Sequence, residues 1–195
     1  MGATTRTFLA VELPEASRRA IEALQRSFEP RVAGLRWTDP ALFHLTLAFL
    51  GDVPTGGLER LGDAVVQAVS AYPRFGLELK GLGAFPDPNR ARVLWVGIVG
   101  DALNSLDALQ RSVVEAAATA GHPPTDDRFH PHVTIARSKA GRGPSPNLLE
   151  LCDQHRAWSP GALPVEEVVV MASELTPRGP TYRVVRSAPL AGASP

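Results

Sequence analysis

The chain has 195 residues, 44% of them hydrophobic and 21% charged, an ordinary composition for a soluble globular protein. Lysine and arginine balance aspartate and glutamate to a formal net charge of zero, so no long basic footprint for nucleic acid is advertised; a small or end-on nucleic-acid ligand needs only local charge. The single cysteine, Cys152, excludes an intrachain disulfide framework and a cysteine-rich zinc site, and no apolar run forms a signal peptide or reaches the roughly 18–20 residues of a membrane span, so a cytoplasmic setting is expected.

Residues 5–12 read as a first strand, followed by Pro14, which suits a helix's first turn. Residues 16–28 are amphipathic: Ala20, Ile21, Leu24 and Phe28 form one stripe, with Arg18, Arg19, Glu22 and Arg26 expected to face water. A short strand at 35–37 ends in the turn Thr38-Asp39-Pro40. A strand is expected at 42–50, a loop at 51–57 and a helix at 58–71. Residues 75–83 and 92–99 read as a hairpin-type pair around the breaker-rich turn 85–89. A helix over 103–120 ends at Gly121, and a polar loop leads to a strand at 129–136. After the basic Gly/Pro-rich loop 139–146 come a short helix near 147–154 and strands at 165–172 and 182–187; the tail beyond Pro189 is expected to fray. The order predicts one α+β domain spanning 1–195: two similar lobes with antiparallel sheets around a central cleft, helices outside, related by a pseudo-twofold axis.

That symmetry rests on two stretches. His44-Leu45-Thr46-Leu47 and His132-Val133-Thr134-Ile135 both read His-x-Thr-x with x apolar, each inside a strand-like run. Side chains alternate faces along a strand, so histidine and threonine share one face while the residues between and after them enter the core. Two imidazoles that titrate near pH 6.5 can act as one base and one acid. The pair suits cleavage of a phosphodiester, one taking a proton from water and the other giving one to the departing alkoxide. The hydroxyls of Thr46 and Thr134 can donate to nonbridging phosphate oxygens, bonds that strengthen as charge shifts. No metal or other cofactor is required. Which histidine takes which role is left open by the residues alone.

Beyond these motifs, Phe8-Leu9-Ala10-Val11-Glu12-Leu13-Pro14, Trp37, residues 43–51, Gly83-Ala84-Phe85-Pro86, the run 92–97, residues 128–137, Ser173-Glu174-Leu175 and Gly179-Pro180-Thr181-Tyr182 all contribute to one pattern. The chain resembles, over nearly its whole length, the bacterial and archaeal RNA 2′,3′-cyclic phosphodiesterases, or 2′-5′ RNA ligase family, of the 2H phosphoesterase superfamily. The resemblance implies metal-independent hydrolysis of a terminal RNA 2′,3′-cyclic phosphate to a 2′-phosphomonoester. It implies that His44 is the proton donor and His132 the proton acceptor, with Thr46 and Thr134 cradling the phosphate. RNA ends, and small cyclic nucleotides, are the implied partners; a monomer is expected. The alternative on the same site is reversible 2′-5′ ligation, with a 5′-hydroxyl replacing water.

Arg128 and Arg137 flank the second motif and are candidates to hold or steer phosphate, as is the loop 139–143 for the RNA backbone. Phe129 is a candidate to stack on a terminal base, with core packing as its other role. Arg36 and Trp37 are candidates to line the cleft, with core packing as the more usual role of Trp37. With few obvious cations, the cleft is expected to bind modestly and to depend weakly on RNA length and salt. Two readings lie outside this class. His130 and His132, with His122, Asp126 and Asp127 nearby, have the makings of a metal site, but that leaves His44-Leu45-Thr46 unexplained. A non-catalytic RNA-end binder keeps the cleft without turnover.

Overall fold

The hydrophobic alternation is realised as nine strands and four α-helices in a computed structural model that describes residues 2–126, 128–139, 148–177 and 179–192. The strands are β1 (Thr4–Glu12), β2 (Leu35–Trp37), β3 (His44–Pro54), β4 (Phe75–Phe85), β5 (Val93–Val99), β6 (His132–Ser138), β7 (Gly161–Val165), β8 (Glu167–Thr176) and β9 (Gly179–Pro189). The helices are α1 (Glu15–Phe28), α2 (Leu58–Val69), α3 (Leu103–Thr119) and α4 (Leu148–Gln154).

All nine strands join one curled sheet in the order β7-β4-β5-β6-β3-β1-β8-β9, with β2 added to β6, and every strand pair is antiparallel. The two expected lobes are the halves β7-β4-β5-β6 and β3-β1-β8-β9. They touch through one pair, Leu45 opposite Val133, after which β3 diverges and β2 takes over the edge of β6 from Ala136 to Ser138. The helices lie on one face. Ile21, Phe28, Leu61, Val65, Leu109 and Val113 pack there against the inward residues of the strands in one continuous core. Burying Leu45, Leu47, Val133 and Ile135 in that core leaves the alternate residues on the opposite, concave face.

β1 reads as an unbroken apolar run because both of its faces are covered. Leu9 and Val11 enter the main core, while Phe8 and Ala10 join a smaller cluster with Val169 and Met171 on the concave side.

Several boundaries differ from the sequence reading for identifiable reasons. β3 starts at His44, not 42, because Pro40–Leu42 forms a 3-10 turn whose entry is held by the Asp39 carboxylate accepting from Ala41 N at 2.9 Å. Residues 51–54 continue β3 instead of looping: Gly51 adopts φ 70°, and Asp52 and Pro54 still pair with Arg6 and Thr4. β6 begins at His132, after Pro131, which has no N–H to give a ladder. The edge strand β7 is absent from the sequence reading; it tolerates Pro164 because an edge has an unpaired side. The chain after Pro189 does not fray at once. Leu190 is buried and its N–H reaches Glu166 O, and Ala191 N–H reaches Tyr72 O. No described helix is long and apolar enough to cross a membrane.

Candidate active site

The antiparallel pairing of Leu45 with Val133 creates a local twofold at the centre of the sheet. It sets His44 opposite Thr134 and Thr46 opposite His132, all four half-buried on the concave face, while Leu45 and Val133 between them are fully buried.

Each imidazole is held by the same device. His44 Nδ1 lies 2.7 Å from Leu42 O, and His132 Nδ1 lies 2.6 Å from His130 O. A carbonyl only accepts, so both Nδ1 atoms carry the proton and both Nε2 atoms present their lone pair elsewhere. Aromatic rings fix the orientation. Phe8 lies 4.8 Å and Tyr182 5.4 Å from His44; Phe85 lies 5.0 Å and Trp95 6.3 Å from His132. Trp95 in turn lies flat on Gly83, where any side chain would overlap its six-membered ring. Among the described residues, no protein group engages the hydroxyls of Thr46 and Thr134, which stay available to a ligand.

Burial shifts both histidines down. His44 falls to about 4, chiefly because its charged form is desolvated; the Leu42 carbonyl opposes this, and the charges of Arg18, His132 and Arg137 add to it. His132 is lowered for the same leading reason, opposed by the His130 carbonyl, with Arg137 and His130 contributing. At neutral pH burial therefore favours the neutral form of both imidazoles.

A matched β-bulge sits in each motif strand. Opposite β1, Leu9 pairs with Ala48 and Ala10 with Thr46, so Leu47 is the extra residue; opposite β5, Leu94 pairs with Ala136 and Trp95 with Thr134, so Ile135 is extra. Two successive residues are thereby buried in each strand, and the alternation resumes one position later. Strict alternation would send Phe49 and Arg137 into the core. The bulges bring both to the concave face: Phe49 is 49% exposed with its ring 5.9 Å from Phe8, and the charge of Arg137 acts on His44, His132 and Tyr182.

The other candidates are distributed differently. Arg128 lies outside the strand and is bound to the Asp126 carboxylate through Nε and Nη2, each at 3.3 Å. Phe129 is half-buried and packs against the main core, as does Trp37. Of the loop 139–143 only Lys139 falls within the described residues. Among the described residues no three histidine, cysteine or acidic side chains converge as a metal site; Asp127 lies outside them. His122 is turned away, its Nε2 buried near Gly57.

Sequence reasoning missed Arg18. It does not face water: its side chain is 16% exposed and binds Leu13 O at 3.0 Å, Ala41 O at 3.1 Å and the Glu12 carboxylate at 3.3 Å. It thus pins the turn that carries Leu42, whose carbonyl orients His44. Arg18, three residues before Ile21, lies on the flank of the apolar stripe; its charge made it read as solvated, because nothing local shows the turn at 40–42 that receives its guanidinium. Tyr182 and Phe8 enter the sequence reading only as part of a pattern, not as the walls of the His44 site.

The family model for the 2′-5′ RNA ligase superfamily matches residues 8–176. A Methanothermobacter thermautotrophicus protein named RNA 2′,3′-cyclic phosphodiesterase is 34% identical over 177 residues, covering 91% of this chain and 94% of its own. A crystal structure from Thermus thermophilus superposes with a TM-score of 0.75 at 31% identity, over 97% of this chain and 100% of that one. The structure of E. coli LigT complexed with 3′-AMP gives a TM-score of 0.75 at 26% identity, over 96% and 98%.

Proposed function

Because the chain belongs to the 2′-5′ RNA ligase superfamily, we propose that it hydrolyses a terminal RNA 2′,3′-cyclic phosphate to a 2′-phosphomonoester, with the paired histidines as acid and base. The observation that carries this reading is the twofold at Leu45 and Val133, with both Nδ1 atoms tethered to carbonyls two residues back. An in-line displacement at phosphorus needs the attacking and leaving oxygens on opposite sides. Two equivalent imidazoles about an axis supply a proton acceptor and a proton donor on opposite sides of a phosphate centred there.

In this reading His132 Nε2 takes a proton from water as the water oxygen bonds to phosphorus. The bond from phosphorus to O3′ breaks, and His44 Nε2 protonates O3′. Thr46 and Thr134 donate hydrogen bonds to the nonbridging oxygens, and Arg137 adds positive charge near them. Phe49, half exposed and backed by the buried ring of Phe8, offers an aromatic surface for the terminal base. The likeness to LigT holding 3′-AMP supports a nucleotide in this cleft.

The low value of His44 and its role as donor are reconciled by the substrate. A phosphate anion between the two histidines favours the charged imidazolium, so His44 takes up a proton from solvent as the substrate binds. By burial alone His132 is the easier of the two to protonate; the donor role of His44 follows from the family resemblance.

The test is to incubate wild type, His44→Ala and His132→Ala with an oligoribonucleotide ending in a 2′,3′-cyclic phosphate, in excess EDTA, and to identify the product end. The expected product is a 2′-phosphate, with each variant slower by about 10²–10⁴. A 3′-phosphate product, or full activity in either variant, overturns the mechanism.

A further inference from the structure

We propose that Arg36 and Arg137 form a cross-strand arginine clamp for the phosphodiester that precedes the cyclic end, so that the cleft distinguishes an RNA chain from a free cyclic nucleotide. The proposal rests on the functional reading above and adds the recognition of the chain behind the reacting end.

Arg36 on β2 pairs directly with Arg137 on β6, so the two side chains leave the same face of the sheet. That is the concave face, because the bulge at Ile135 turns Arg137 toward the motif histidines. Both arginines are exposed. Among the described residues neither has a carboxylate partner, whereas eight arginines elsewhere do. Like charges directly opposite each other on a sheet repel. An anion laid across them relieves the repulsion, and a guanidinium pair suits the charged, forked oxygens of a phosphodiester.

The broken symmetry of the sheet gives the direction. The position equivalent to Arg137 in the other lobe is Phe49, an aromatic instead of a cation. One side of the phosphate site therefore offers stacking surface and the other offers charge. Arg137 lies nearer the histidines, and Arg36 lies one strand farther out. A cross-strand neighbour at about 5 Å between Cβ atoms reaches one ribose beyond the reacting phosphate. The competing exit runs past Arg6 on β1, which also faces the cleft near Tyr182. There the cross-strand partner is Asp52, which offsets the local positive charge and disfavours a polyanion.

The experiment compares two dinucleotides ending in a 2′,3′-cyclic phosphate, one with an ordinary internucleotide phosphodiester and one with a neutral methylphosphonate in its place. kcat/KM is measured for both with wild type, Arg36→Gln, Arg6→Gln and Arg111→Gln. Comparing the two substrates within each protein cancels any loss of folded enzyme. Wild type is expected to prefer the charged linkage about fivefold at low salt, a preference lost in Arg36→Gln and kept in Arg6→Gln and in the exposed helical control Arg111→Gln. Turnover without preference in wild type, preference that survives Arg36→Gln, or preference that disappears in Arg6→Gln overturns the clamp while leaving the hydrolytic reading intact. Failure of wild type to open either cyclic phosphate overturns the hydrolytic reading, and the clamp with it.

Discussion

Acidification perturbs the site in a way that is readable as stability. His44 packs against the rings of Phe8 and Tyr182, and burial holds it down to about 4, against 6.5 when unfolded. The unfolded chain therefore binds a proton between these values that the native protein refuses. Stability from this group is fully present above pH 6.5 and is lost as pH falls to about 4. The gap corresponds to on the order of 2–3 kcal/mol after allowing for the ring's partial access to solvent. His132, lowered for the same reason, adds in the same direction. The assay is urea unfolding of wild type and His44→Gln from pH 7.5 to 4. Wild type should lose on the order of 2–3 kcal/mol more than the variant across this window, with the difference shrinking in the presence of sulfate, whose charge favours the imidazolium. Parallel stability curves for the two proteins would refute the argument. The kinetic counterpart is that the alkaline limb of kcat lies at higher pH than that of kcat/KM, because only kcat reports the enzyme with phosphate in place.

Replacing Thr46 or Thr134 by valine keeps the shape of a half-buried strand residue and should lower kcat by about 10- to 100-fold through loss of a charge-assisted hydrogen bond, read by single-turnover kinetics. Arg18→Met should release the Pro40–Leu42 turn, reduce kcat about tenfold and move the His44 limb of the pH profile upward, since a nearby cation is removed; an unchanged pH profile would make Arg18 merely structural. Leu45→Ala, at a fully buried position joining the two half-sheets, should cost about 3 kcal/mol and lower Tm by about 6–12 °C by calorimetry. Phe49→Ala should leave Tm within about 2 °C, because the ring is half exposed, yet raise KM for a cyclic mononucleotide about tenfold or more if the base stacks there.

Much of the candidate site was legible because it is local. A strand alternates with period two whatever it pairs with, so His44 with Thr46 and His132 with Thr134 had to share a face once Leu45, Leu47, Val133 and Ile135 were buried. The order of elements, read with the resemblance, was enough for two lobes of antiparallel strands. The boundaries that moved are those set by contacts distant in sequence: residues 51–54 extend β3 because β1 pairs with them, and Leu190 is held by Glu166. Arg18 looked solvated because helical periodicity records only which side an element turns to its own core, and the turn at 40–42 that captures its guanidinium comes from elsewhere in the chain.

The sequence by itself determined the chemistry on offer: two imidazoles, two hydroxyls and the strands that aim them, since residue type and two-residue spacing need no partner. Tertiary structure alone decided how these groups meet. The pairing of Leu45 with Val133 is one register among those that the apolar runs allow, and packing the helices on one face selects it. The bulges at Leu47 and Ile135 are likewise consequences of pairing, because an extra residue exists only relative to a partner strand. Through them Arg137 and Phe49 reach the concave face, and burial, a property of the whole assembly, fixes the protonation state in which the two histidines wait.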